Sequence, residues 1–192
     1  MTMFAVASLA VAAGVSGGWD PTLYRIYWLF GALLNVPYLA LGSAALLGRK
    51  PLSALGIVIV FAATIWCIGI VASSSVHIPG ATPKDIPRGS VAWGKGTLPA
   101  KLPTYVSIPA YLIVLLIAVA SSRGGKLPVQ RIRGNWLIAI GATIVAAGGP
   151  FARYGRGAAF SVLLAVGVVV MYLGFRLASR APKPTAPVEE SG

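Results

Sequence analysis

Four carboxylates, Asp20, Asp85, Glu189 and Glu190, are all that this 192-residue chain offers for acid–base work. Glu189 and Glu190 fall in a polar, proline-rich tail, so no pair of acids is placed for hydrolysis across one bond. His77 is the only histidine and Cys67 the only cysteine, which rules out a metal-ligand cluster and an intramolecular disulfide. Ser73, Ser74 and Ser75 lie near His77, with Asp85 as a conceivable orienter. No G-x-S-x-G elbow accompanies them, and a polar turn beside a membrane explains them more simply. Gly89 to Lys95 follows the phosphate-loop spacing G-x-x-x-x-G-K, but Gly96 stands where Ser or Thr should reach magnesium. Trp93 then reads as an interface anchor for this glycine-rich segment. No catalytic residue, metal or cofactor is expected.

Two other groups carry polar chemistry. Asn35 and Pro37 interrupt an otherwise apolar run, where Pro37 removes one helix hydrogen bond and crowds the carbonyl of Leu33. Asn35 is therefore expected at a polar seam between helices or, alternatively, at a cavity. Arg153 and Arg156 flank Tyr154 in a short glycine-rich turn, and Lys95 belongs to a basic stretch with Lys84, Arg88 and Lys101. These cations suit anionic lipid headgroups, or simply snorkel to the interface and hold a helical hairpin there.

The elements that must position these residues are apolar runs of membrane-spanning length, led by Ile26 to Gly48. With 57% hydrophobic residues and only 10% charged, the chain has too little charged surface for a soluble domain. The expected fold is all-α: an integral membrane bundle of six transmembrane helices over residues 1–177. Their approximate ranges are 3–17, 23–47, 52–72, 105–120, 135–148 and 158–177. The first run resembles a signal peptide but lacks a preceding Lys or Arg, so it is expected to remain as a helix. Gly14 and Gly18 give it a GxxxG spacing for close contact.

Asp20 is a fitting N-cap and Pro21 a fitting first-turn residue for the second helix, with Tyr24, Tyr27 and Trp28 at the headgroup level. Gly and Pro break residues 73–103 into an outer loop. Asn135 reads as an N-cap beside an interfacial Trp136. Ala142, Ala146, Ser161 and Ala165 supply small faces between the last two helices. Residues 178–192 read as a disordered cytoplasmic tail.

The net charge of +12 would suit nucleic acid in a soluble protein. Here the cations lie mostly between and after the apolar runs, so membrane lipids are the expected partners and nucleic acid is not. Placing both termini in the cytoplasm puts nine cations inside: Arg49, Lys50, Arg123, Lys126, Arg131, Arg133, Arg176, Arg180 and Lys183. Seven lie outside: Arg25, Lys84, Arg88, Lys95, Lys101, Arg153 and Arg156. The inside set is denser, which orients the chain in a cytoplasmic membrane.

The segments YRIYWLFGALLNVPYLALGSAALLG, IPRGSVAWG and RIRGNWLIAIGATIVAAGG, followed by GFR, resemble a group of small uncharacterised multi-spanning membrane proteins of actinobacteria. The resemblance implies a retained multi-helix protein of the cytoplasmic membrane and brings no catalytic residues. Function is thus expected to be non-enzymatic: an accessory or structural subunit that packs with itself or another membrane protein. A small transporter or channel component for a hydrophobic or lipid-like solute is the alternative, followed by a lipid-binding sensor or enzyme. Conventional ion coupling is disfavoured because no apolar run has a charge at its centre.

Overall fold

The computed structural model describes residues 2–47, 50–78, 86–123, 127–153 and 157–180, with side chains described throughout except at 50, 149–153 and 157–160. These residues form six long helices and one four-residue helix, with no strand among them. The long helices are α1 (Thr2–Gly17), α2 (Pro21–Leu46), α3 (Lys50–Ser73), α4 (Leu98–Arg123), α5 (Val129–Arg153) and α6 (Gly157–Ser179). Four stretches are long and apolar enough to cross a membrane: Pro21–Leu46, Pro51–Ser73, Leu98–Arg123 and Ser161–Ser179. The protein is therefore a helical membrane protein by the length and composition of these spans. Helix α1, at 16 residues, is shorter, and α5 carries Arg131 and Arg133 in its first turns.

Local chemistry explains the start of α2. Asp20 accepts hydrogen bonds from the backbone N–H groups of Thr22 (2.8 Å) and Leu23 (3.0 Å), and Pro21 occupies the first turn. The turn before it differs from the GxxxG expectation. Gly14 receives the indole of Trp19, where an added Cβ would lie 2.5 Å from the ring, while Gly18 turns the chain at φ +97°. The pair serves a tight turn rather than a helix crossing.

Within α2, residues Trp28–Leu34 are wound as a π-helix between α-helical Pro21–Tyr27 and Asn35–Leu46. Pro37 supplies the reason. Having no N–H, it can pair neither the carbonyl of Leu33 in α-register nor that of Ala32 in π-register. Ser107 of α4 takes over: its Oγ lies 2.6 Å from the Ala32 carbonyl and 3.5 Å from that of Leu33. A break in one helix is thus repaired by its neighbour, as lipid-embedded backbone requires.

The helices run up and down, so that the start of α1, the end of α2, the start of α5 and the end of α6 share one end of the bundle. At the opposite end, Tyr24, Trp28, Trp19 and Trp93 gather with Leu33, Cys67, Val71 and Leu102 in a buried cluster. Trp93 is 6% exposed and 6.1 Å from the Tyr24 ring, so it is a core residue and not the interface anchor the sequence implied. Tyr24 donates to the Pro87 carbonyl, which draws the loop down over the helices, and Trp28 donates to that of Pro99 in the first turn of α4. Arg25 reaches across to the Val71 and Ser74 carbonyls and caps the end of α3. The loop is also shorter than expected, because α4 begins at Leu98 and carries Pro103 and Pro109 within it.

Helices α5 and α6 approach most closely, through glycines seven residues apart on each. A Cβ on Gly134 would lie 2.6 Å from the Gly174 carbonyl, and one on Gly141 would lie 2.6 Å from the Gly167 carbonyl. Ala146, Ser161 and Ala165 are exposed, so the close packing expected of them is made by glycine. Asn135 is likewise not an N-cap, since α5 begins at Val129 and Asn135 lies inside it, 1% exposed.

Candidate lipid-facing cleft around Asn35

The extra backbone in the π-helical turn displaces the face of α2 that follows it, and Asn35 is the first residue beyond. Its side chain is 8% exposed and makes no hydrogen bond among the described residues. Pro37, also buried, lies half a turn on. Asn35 faces two cavities.

The larger, of about 990 Å³, lies between α1 and α6 and opens at the side of the bundle. Its walls are mainly apolar: Val11 and Val15 from α1, Leu164, Ala165 and Val168 from α6, with Asn35 and Tyr27 among its few polar contributors. Ser161 and Ala165, read in the sequence as packing residues, line this opening instead. The smaller cavity, of about 160 Å³, is lined by Asn35 and, farther along α2, by Leu39 and Ser43, with Phe175 from α6. Phe4 borders both. Ser43 is 2% exposed and its Oγ has no hydrogen-bond partner.

A polar atom buried without a partner costs on the order of 1–3 kcal/mol, so such groups call for a compensating ligand or a functional reason. Ser43 carried no signal in the sequence, since one serine among small residues reads as packing. Ser107 was equally silent, although its hydroxyl completes the backbone on which Asn35 stands.

Of the expected cations, Lys95 lines neither cavity. Lys95 is exposed in a turn between Gly94 (φ +87°) and Gly96 (φ +82°), a geometry that presents it outward without forming a phosphate cradle. Gly89, the first glycine of that motif, has no room for a side chain against Trp28, and so serves packing. Arg156 lies outside the described residues, as does the side chain of Arg153. The hydrolase constellation near His77 also dissolves. Ser73 and Ser74 both donate to the Ile70 carbonyl, His77 is held through its backbone to Ala92, and Asp85 lies outside the described residues. Among the described residues no group of His, Cys, Asp and Glu could hold a metal.

A second buried amide is Asn135, expected from the sequence as an N-cap. Asn135 has neither its Nδ2 nor its Oδ1 paired, and Arg131, one turn earlier, has an unpaired buried Nε. Neither lines the two cavities around Asn35.

Comparison with known protein families, with curated proteins and with solved structures gives no match. The site's own geometry therefore carries the functional reading.

Proposed function

We propose that this chain is a non-enzymatic integral membrane protein that holds an apolar, lipid-like molecule in the cleft between α1 and α6. The observation that carries the proposal is the 990 Å³ apolar opening with a buried amide on its wall. Ligand pockets of about 300–1,000 Å³ are lined in this way, by apolar surface with few polar groups. The molecule would enter from the bilayer, which makes lipid-like cargo more suitable than an ion with a hydration shell to lose.

The same proposal has all six long helices crossing the cytoplasmic membrane with both termini in the cytoplasm, supported by the up-and-down order and by the dense cations at that end. A place among small actinobacterial membrane proteins belongs to it as well. Native mass spectrometry of the purified protein tests the cleft. One lipid-like adduct is expected in the wild type and its loss in Ala165→Phe and Ala12→Phe, which fill the opening from exposed positions. Equal adducts in all three would reject the reading.

An accessory-subunit role rests on a different observation. Helix α3 is mostly unburied, with Leu55, Val58, Phe61 and Ile65 each more than half exposed along one side. A neighbouring membrane protein or a second copy would cover that side. Disulfide crosslinking of Phe61→Cys in membranes distinguishes the two roles: a discrete adduct supports a subunit, and none supports a helix that faces lipid.

A further inference from the structure

We infer that the molecule in this cleft is an uncharged lipid whose oxygen-bearing end, a hydroxyl or a carbonyl, is bound in the smaller cavity between Asn35 and Ser43. This rests on the lipid-cleft reading and specifies the ligand class. Asn35 and Phe4 line both cavities, so a ligand reaching from the lateral opening to Ser43 would pass these two side chains. The path is graded. Its wide part is walled by aliphatic side chains and suits a hydrocarbon tail, whereas its narrow part holds the largely buried Asn35 side chain, which makes no hydrogen bond among the described residues, and the buried Ser43 hydroxyl, which has no partner.

Among the described residues none of the side chains lining either cavity is Asp, Glu, Lys, Arg or His. Against these described walls a phosphate or a carboxylate finds no counter-charge, and its burial there would cost far more than that of an unpaired neutral group. A neutral oxygen meets no such cost. Asn35 offers two donors and an acceptor, and Ser43 offers one donor and an acceptor, so both hydroxyl and carbonyl oxygens can be satisfied. Eight residues of helix separate them by about 12 Å, enough length for an ester or ring-sized head and too little for a bulky sugar.

Photolabelling of the full chain in phosphatidylcholine nanodiscs tests this. The probe is a diazirine-bearing diacylglycerol, competed by unlabelled diacylglycerol, a long-chain polyprenol, the pure hydrocarbon squalane or phosphatidic acid. The expected order is strong competition by diacylglycerol or polyprenol and weak competition by squalane and phosphatidic acid. Asn35→Leu and Ser43→Ala should each weaken probe binding by about fivefold, the change that loss of one net hydrogen bond produces. Both substitutions remove polar atoms that have no protein partner, so the loss should come with no fall in melting temperature. Competition by squalane or phosphatidic acid as strong as by diacylglycerol would overturn the inference, as would full binding in both variants. Failure of the cleft itself reads differently: the probe then labels no cleft residue saturably and Ala165→Phe changes nothing.

Discussion

At the residue scale, Pro37 and the hydroxyl that answers it shape the middle of α2. Proline leaves the helix one backbone donor short beside the carbonyls of Ala32 and Leu33, and Ser107 supplies a hydroxyl there from α4. Ser107→Ala should therefore destabilise the protein by about 1 kcal/mol, a typical value for an interhelical hydrogen bond in a membrane. Pro37→Ala restores a backbone N–H, so in that background the same change should cost little. Thermal unfolding of the four members of this cycle measures the coupling, and additive effects would contradict the assignment. The proline and the asparagine were legible because each breaks an apolar run. Ser107 and Ser43 were not, since a lone serine in a span has the same look whether it packs, bonds its own helix or repairs another. Asn135 was misread for a related reason: an Asn just after a basic stretch has cap chemistry, but only the true start of α5 at Val129 reveals that it is interior.

At the scale of elements, helix existence was readable from apolar length and helix contact was not. The N-cap at Asp20 and the breaks near Gly18 and Pro51 follow from local chemistry, which a sequence carries in adjacent letters. The α5/α6 seam depends on matching two glycine rows across space, Gly134 with Gly174 and Gly141 with Gly167, and a chain with 23 glycines offers many false pairings. Gly141→Leu should push the hairpin apart and cost about 2–3 kcal/mol, because its side chain would meet the Gly167 carbonyl and Met171. Gly69→Ala, in α3 with open space around it, should stabilise by up to about 1 kcal/mol through helix propensity. Unfolding midpoints in detergent check both, and a reversed order would undo the packing account. Loop length was overestimated because Pro103 looks like a breaker, yet α4 begins at Leu98 and contains it.

At the scale of the molecule, six helices form two regions joined by α2: an aromatic-capped end, and a glycine-packed hairpin of α5 and α6 standing beside α1. The cleft arises where α1 and α6 flank the π-helical bend of α2. Absence of charge within the runs was visible at once and already turned the reading from ions toward apolar cargo; the cleft itself, a property of three helices at once, had no sequence signal. The most direct test is site-resolved photolabelling by a diazirine hydrocarbon in nanodiscs, with and without excess diacylglycerol. Labelling of Val11, Leu164 and Val168 should be saturable and competed, as expected of a bound molecule in a cleft. Labelling of Val58 and Phe61 on the outer side of α3 should be neither, as expected of bulk lipid. Uncompeted, non-saturable labelling at both sets would contradict the claim that the protein holds a lipid-like molecule there.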